Sequence, residues 1–215
     1  MSEGEISVGG LTPLTTVDYP DRLSAVIFCQ GCPMRCRYCH NPALLPRLSE
    51  TQIPWSEILG FLQSRRGLLD AVVFSGGEPT QQLALGHAIR QVKAMGFEIG
   101  LHTAGVYPKR LAQLLPLLDW VGLDIKALPE SYPRLTGMRG SGELAWQSAE
   151  LLIASGIPHQ IRTTFHPALM SQKEKSQLQK RLDPLKPQAH QWQVCRTEGC
   201  LDARLDSAQP AAASP

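Results

Sequence analysis

The sequence predicts an α/β fold, an open-sided, partial (β/α)6 barrel of parallel strands. Three observations carry that expectation. Short apolar, β-branched segments alternate with helical patterns, the rhythm of a parallel sheet covered by helices. Glycine-rich and chemically reactive motifs follow directly after four of the strands, at the carboxyl ends where parallel α/β folds build their sites. Six strand–helix units are too few to close an eight-stranded barrel, and the opening would admit a large substrate.

The elements follow in order. Residues 1–17 read as a leader, and Asp18-Tyr19-Pro20-Asp21 is a turn signal. Ser24 to Phe28 is an apolar run, hence a buried strand. Pro33, Pro42 and Pro46 keep the next stretch non-helical. Pro54 then opens a helix, loosely preceded by Thr51 or Gln52, with Trp55, Ile58, Leu59 and Leu62 at helical spacing and Gly67 at its end. Ala71 to Phe74 is the second strand. Thr80 is the expected cap of a helix carrying Leu83, Leu85, Ile89, Val92 and Met95, closed by Gly96. Phe97 to Leu101 is the third strand, ending at His102-Thr103-Ala104-Gly105. Residues 108–118 form a short helix interrupted by Pro116. Trp120 to Ile125 is the fourth strand. Residues 129–142 are rich in proline and glycine and read as loop with one helical turn. Glu143 to Ser155 is a helix with Leu144, Leu151, Leu152 and Ala154 inward, stopped by Gly156. His159 to Phe165 is the fifth strand, 171–182 a polar helix, and Gln191 to Cys195 the sixth strand. The chain is expected to be one domain over 1–215, with a flexible tail over about 207–215.

Composition narrows the function classes. At 43% hydrophobic residues the chain can bury a core. A net charge of +2 and the lack of any lysine/arginine block argue against nucleic acid as a partner. No apolar run reaches the length of a membrane span, and the start MSEGEISVGG lacks the basic-then-apolar order of a signal peptide. A cytoplasmic protein with no membrane partner is expected. In that reducing compartment clustered cysteines point to metal or redox chemistry rather than disulfides.

Four of the six cysteines, Cys29, Cys32, Cys36 and Cys39, lie in the loop after the first strand. The last three form a C-x-x-x-C-x-x-C run. Thiolates at that density select zinc or iron–sulfur. Three cysteines suit a four-iron cluster that leaves one iron open, a catalytic arrangement. All four, taken as two C-x-x-C pairs, suit a structural zinc knuckle. Cys29 also fits a strand-end thiol buried as a small hydrophobe.

The remaining motifs each have a functional and a structural reading. Gly76 and Gly77 allow close approach of backbone to a ligand, or simply a tight turn; Glu78 can meet a cation. The segment matches neither phosphate-loop pattern. Asp124 and Lys126 lie two apart on an extended segment and face one way, suiting a zwitterionic ligand or each other. Arg162 can pair with a ligand carboxylate, or with Asp124 or Glu78. His102 and Thr103 end the third strand, where His102 is either a ribose or purine contact or a satisfied structural histidine. Tyr38 can stack on an aromatic ligand. Cys195 and Cys200 fit a second metal site, a redox pair or two buried thiols.

Taken together, C-x-x-x-C-x-x-C with an aromatic before its last cysteine, and GGEP after the second strand, resemble the radical S-adenosylmethionine superfamily. The wider run D-Y-P, F-x-Q-G-C, C-x-Y-C-H-N-P, F-S-G-G-E-P, T-A-G, D-I-K-A, L-T-G and R-T-T resembles the activating proteins of glycyl radical enzymes, closest to the anaerobic ribonucleoside-triphosphate reductase activating protein. The resemblance covers roughly residues 11–205. It implies a [4Fe-4S] cluster on Cys32, Cys36 and Cys39, with S-adenosylmethionine on the unique iron. It further implies that Gly76, Gly77 and Glu78 contact the methionine amino end, that Asp124 and Lys126 lie in the ribose and carboxylate region with Arg162 in support, and that Tyr38 lies by the adenine. Flavodoxin or ferredoxin would donate an electron, and hydrogen would be taken from a glycine of a partner glycyl radical enzyme, the anaerobic ribonucleotide reductase. His102 stands where other activating proteins often carry an acidic residue that meets the ribose. No eight-cysteine insert separates Cys39 from Gly76, so one cluster is expected. Rival readings are a radical enzyme making a 7-carboxy-7-deazaguanine precursor, and a structural zinc protein.

Overall fold

Seven strands among the described residues form one sheet in this computed structural model, which describes residues 4–49 and 52–208. They are β1 (Val8–Thr15), β2 (Ser24–Cys29), β3 (Ala71–Gly76), β4 (Glu98–Thr103), β5 (Trp120–Asp124), β6 (His159–Phe165) and β7 (His190–Val194). Their order in space is their order in sequence. Strands β2 to β7 pair in parallel. Strand β1 runs antiparallel to β2, with register shifts between Val8 and Gly10 and between Thr12 and Thr15. No ladder joins β1 to β7 among the described residues, so the barrel stays open as expected.

Helices connect the parallel strands: α1 (Trp55–Gln63), α2 (Leu85–Ala94), α3 (Pro108–Leu114), α4 (Tyr132–Thr136), α5 (Ser141–Ser155) and α6 (Gln172–Leu182). Local chemistry sets their ends. Gly140 and Gly156 flank α5, both at φ 72°, a conformation that glycine adopts without strain. Ser171 and Glu174 form a reciprocal capping box at the start of α6. Pro116 turns the end of α3 into a tighter 3-10 turn, Leu115–Leu117.

Several details differ from the sequence reading. The expected leader supplies β1, so the sheet has a seventh strand; Val8 is fully buried there and pairs with Cys29. Thr80 caps no helix. It lies in the 3-10 turn Pro79–Gln81, its hydroxyl donates to Glu78, and α2 begins only at Leu85. In α5 the buried face is Ala145, Trp146, Ala149 and Leu152, while Ala154 is exposed, because residues two apart on a helix lie about 200° apart and Leu152 already faces the core. The last strand shifts by one residue, to His190–Val194. Residues 129–142 hold a 3-10 turn as well as α4 and the start of α5. Thr51 and residues 209–215 lie outside the described residues.

The two faces of the sheet follow the period of two. On the helix side Ala25, Ile27, Cys29, Val72, Phe74, Ile99, Leu101, Val121, Leu123 and Ile161 join the main core. On the other side, at the amino ends of the strands, Tyr19, Val26, Ala71, Val73 and Trp120 form a small second cluster. Tyr19 comes from the D-Y-P turn, and its ring lies 5.4 Å from that of Trp120. A Cβ on Gly100 would lie 3.0 Å from the Tyr19 ring, so the glycine makes room for this plug. The plug closes one end of the barrel interior and leaves the carboxyl end for chemistry.

Candidate radical S-adenosylmethionine site

The cysteine loop leaves β2 through Gly31, at φ 95°. It has little regular structure of its own, so neighbouring segments satisfy its backbone. Gly31 and Cys32 donate to the carbonyls of Leu44 and Leu45, at 2.8 and 3.1 Å. The Gln30 amide donates to Ala43 and Pro46, at 3.0 and 2.7 Å. Arg35 and Arg37 donate to Thr136 and Leu135, at 2.7 and 3.1 Å. The C-terminal segment ties down the far side. Leu201 and Asp202 donate to Cys39 and Arg37, each at 2.9 Å, and the Asp202 carboxylate meets Arg37 at 2.8 Å.

The turn after β3 is bonded to the same loop. Gly77 donates to Cys29 and Glu78 to Gly31, both at 2.9 Å. Gly76 sits at φ 113°, and a Cβ there would lie 2.5 Å from the Cys29 nitrogen. A Cβ on Gly77 would collide with the Gly31 carbonyl. Both glycines are therefore demanded by the crossing of two backbones, whatever else they bind.

A cleft of about 250 Å³ opens where these segments meet the strand ends. Cys32, Cys36, Tyr38, Cys39, Gly76, Gly77, His102, Thr103, Asp124, Lys126 and Arg162 all line it. Glu78 does not. Its side chain is fully buried and turned into the protein. One carboxylate oxygen accepts from the Thr80 amide (3.1 Å), the Thr80 hydroxyl (2.5 Å) and the Thr103 hydroxyl (2.6 Å); the other accepts from the Ala104 amide (2.9 Å). Glu78 thus locks the turn after β3 to the end of β4. Ser75 and Thr164 also line the cleft and were missed. Their signal was the period of two: Ser75 opposes Phe28, and Thr164 follows Arg162 on the same face.

Asp124 is the centre of the polar wall. Arg162 donates to one of its oxygens at 3.0 Å, and Lys126 lies 3.6 Å from the other. The Asp124 side chain is 36% exposed and those of Lys126 and Arg162 only 9% and 15%, so the carboxylate is the group that faces the cleft. Burial works against its charge, but Arg162 and Lys126 together hold it below the usual carboxylate range. The Lys126 ammonium also stands 5.5 Å from the centre of the Tyr38 ring. Tyr38 is buried, and its hydroxyl has no hydrogen-bond partner among the described residues.

His102 contacts the Asp18 carbonyl through Nε2 at 2.8 Å and meets the edge of Trp120 at 5.4 Å. A carbonyl only accepts, so Nε2 carries the proton and Nδ1 is the acceptor. Burial, with Arg162 nearby, pushes its pKa down to about 4, so the ring is neutral. The D-Y-P turn thereby sets the tautomer of a cleft histidine.

Among the cysteines, Cys32, Cys36 and Cys39 group together with Met34, Ala104 and Val106. Cys29 is fully buried in the main core, on the helix side of the sheet. Among the described residues no three histidine, cysteine, aspartate or glutamate side chains stand close enough to hold a single ion. A zinc knuckle gathers four ligands around one point, and that arrangement is not built here. Three soft donors spaced around one cleft fit a multi-iron cluster, whose ligands go to different metals. Burial pushes the Cys32 thiol up to about 12 and raises Cys36, while the Lys126 charge opposes both.

Comparison with known proteins identifies the family. The profile of the Radical SAM superfamily matches residues 26–175, more than half of the chain. A Methanocaldococcus jannaschii protein named as a glycyl-radical enzyme activating enzyme is 33% identical over 174 residues, 78% of this chain and 71% of the relative. The pyruvate formate-lyase-activating enzyme of Clostridium pasteurianum is 32% identical over 164 residues, 74% of this chain and 68% of the relative. A PqqA peptide cyclase of a Methylobacterium species is 32% identical over 142 residues, 63% of this chain and 37% of the relative. Among solved structures, Streptococcus suis SuiB bound to its precursor peptide SuiA superposes with a TM-score of 0.66 at 16% identity, over 85% of this chain and 44% of that one. With its three-thiol cleft, its open parallel sheet and these relatives, the chain belongs to the radical S-adenosylmethionine superfamily, whose cofactors are a [4Fe-4S] cluster and S-adenosylmethionine.

Proposed function

We propose that this protein is an activase of a glycyl radical enzyme, with the anaerobic ribonucleoside-triphosphate reductase as its partner. The observation that carries the reading is the convergence of three thiols, two turn glycines and the Asp124–Lys126–Arg162 wall on one cleft, in a chain 33% and 32% identical to proteins named as activating enzymes.

Cys32, Cys36 and Cys39 hold the cluster in this reading. Bound there, the cluster would supply the single electron for reductive cleavage of S-adenosylmethionine, the chemistry by which hydrogen would be taken from a glycine of the partner. The chain's own residues position and protect. Gly76 and Gly77 present backbone to the methionine end. Asp124 faces the cleft as an anion, while Lys126 and Arg162 keep the wall cationic enough for a carboxylate. Neutral His102 offers Nδ1 as an acceptor for a ribose hydroxyl. Tyr38 closes the adenine side with its ring. The Tyr19–Trp120 plug excludes water from the opposite end. The open side of the sheet, between β1 and β7, admits a protein segment.

A reduced flavodoxin or ferredoxin is the electron source in this scheme. We also place the protein in the cytoplasm, the reducing compartment in which clustered thiols serve a metal centre rather than disulfides.

The test is anaerobic reconstitution with iron and sulfide, reduction by dithionite, and addition of S-adenosylmethionine with the partner reductase. Electron paramagnetic resonance is expected to show a glycyl radical on the partner. Cleavage to methionine and 5′-deoxyadenosine with no radical on any candidate partner would sink the activase reading and favour a small-molecule substrate.

A further inference from the structure

A second, larger cleft of about 940 Å³ shares no lining residue with the first. Gln30, Arg47, Gln81, Leu83, Tyr107 and Arg110 are among its walls. A third cleft, of about 260 Å³, shares Leu83, His87 and Arg110 with it and adds Arg90. The two form one surface around Leu83, which is 85% exposed. Its described lining carries Arg47, Arg90 and Arg110, and Glu5 is the single acidic side chain.

This basic surface lies one residue layer from the cysteines. Tyr107 lines the second cleft and also packs against the group of Met34, Cys36, Ala104 and Val106 that holds Cys32 and Cys39. The Arg110 guanidinium lies 4.8 Å from the centre of the Tyr107 ring, and Arg110 donates to the Thr80 carbonyl at 3.0 Å, which fixes the wall. Arg47 sits on the segment whose carbonyls accept from Gly31 and Cys32.

We infer that this surface docks an acidic one-electron carrier protein. The inference rests on the proposed function and adds the place of electron entry. An exposed leucine ringed by arginines suits an acidic protein face, and long-range attraction speeds such encounters. The reduced carrier loses one electron, the group held by the cysteines gains one, and no bond forms or breaks. The radical chemistry is kept in the first cleft, so carrier and substrate do not compete for one opening.

The experiment compares the reconstituted wild type with the double variant R47E/R90E, neither residue belonging to the first cleft. Flavodoxin hydroquinone is the probe, mixed at low and high salt, with dithionite as a carrier-free reductant. The variant is expected to accept electrons from flavodoxin about tenfold more slowly at low salt. Wild-type transfer should slow with added salt, and dithionite-driven cleavage of S-adenosylmethionine should be equal in both proteins. Transfer from flavodoxin at the wild-type rate in the variant overturns the docking surface and leaves the function standing. Absence of dithionite-driven cleavage in the wild type overturns both.

Discussion

The Thr103 hydroxyl donates to a Glu78 side-chain oxygen at 2.6 Å, joining the ends of two adjacent strands through a fully buried side chain. With the Thr80 and Ala104 donors it makes Glu78 a structural acceptor. Replacing Glu78 by Ala leaves several buried donors unpaired and should cost about 3 kcal/mol of stability. Urea unfolding of the apoprotein measures this. A variant as stable as wild type but unable to bind S-adenosylmethionine would return Glu78 to a ligand role.

Cys29 and Cys32 are expected to part company. Cys32→Ala should abolish S-adenosylmethionine cleavage with the fold kept. Cys29→Ala should retain wild-type iron and sulfide per chain and lose about 1 kcal/mol of stability, the cost of a small cavity in the core. Iron and sulfide analysis with circular dichroism decides it; loss of iron in Cys29→Ala would revive a four-cysteine site.

The pH dependence of the apoprotein should carry the signature of His102. Its folded pKa of about 4 lies below the ordinary 6.5, so between these values the unfolded chain binds a proton that the folded chain refuses. Stability linked to this residue is therefore full above pH 6.5 and falls as pH drops toward 4. His102→Gln should flatten that slope, read from unfolding midpoints across pH 4–7. An unchanged slope would place the linkage elsewhere.

The Arg37–Asp202 pair, at 2.8 Å, fastens the C-terminal segment over the cysteine loop. Asp202 is held well below the usual carboxylate range, first by its bonds to Arg204 and Arg37. Asp202→Ala should leave global stability little changed, since solvent screens a pair this close to the surface. It should, however, let a chelator remove iron several times faster from the loaded protein. Equal chelation rates would show that the backbone bonds alone hold the loop.

Much of the fold and the chemistry was legible from local pattern. Ser24–Phe28, Ala71–Phe74, Trp120–Ile125 and His159–Phe165 read as strands because buried β-branched runs have few other uses. The cysteine run announced soft-metal chemistry by spacing alone. What escaped were features that depend on partners distant in sequence. Strand β1 is weakly apolar and exists because β2 offers an edge. The sheet that α5 packs on decides which of its faces is buried, so Leu152 turns inward and Ala154, half a turn away, is exposed.

The parallel α/β plan, the three-cysteine motif and the carboxyl-end placement of the reactive groups follow from periodicity and short motifs, which are local properties. Packing between distant segments set which side each group faces. It turned Cys29 into the helix-side core, withdrew Glu78 from the cleft into a cage of donors, and set Asp124 between Arg162 and Lys126. It also brought the Asp18 carbonyl to His102. Those outcomes depend on strand register and on backbones crossing at Gly76 and Gly77, contacts between segments far apart in the chain.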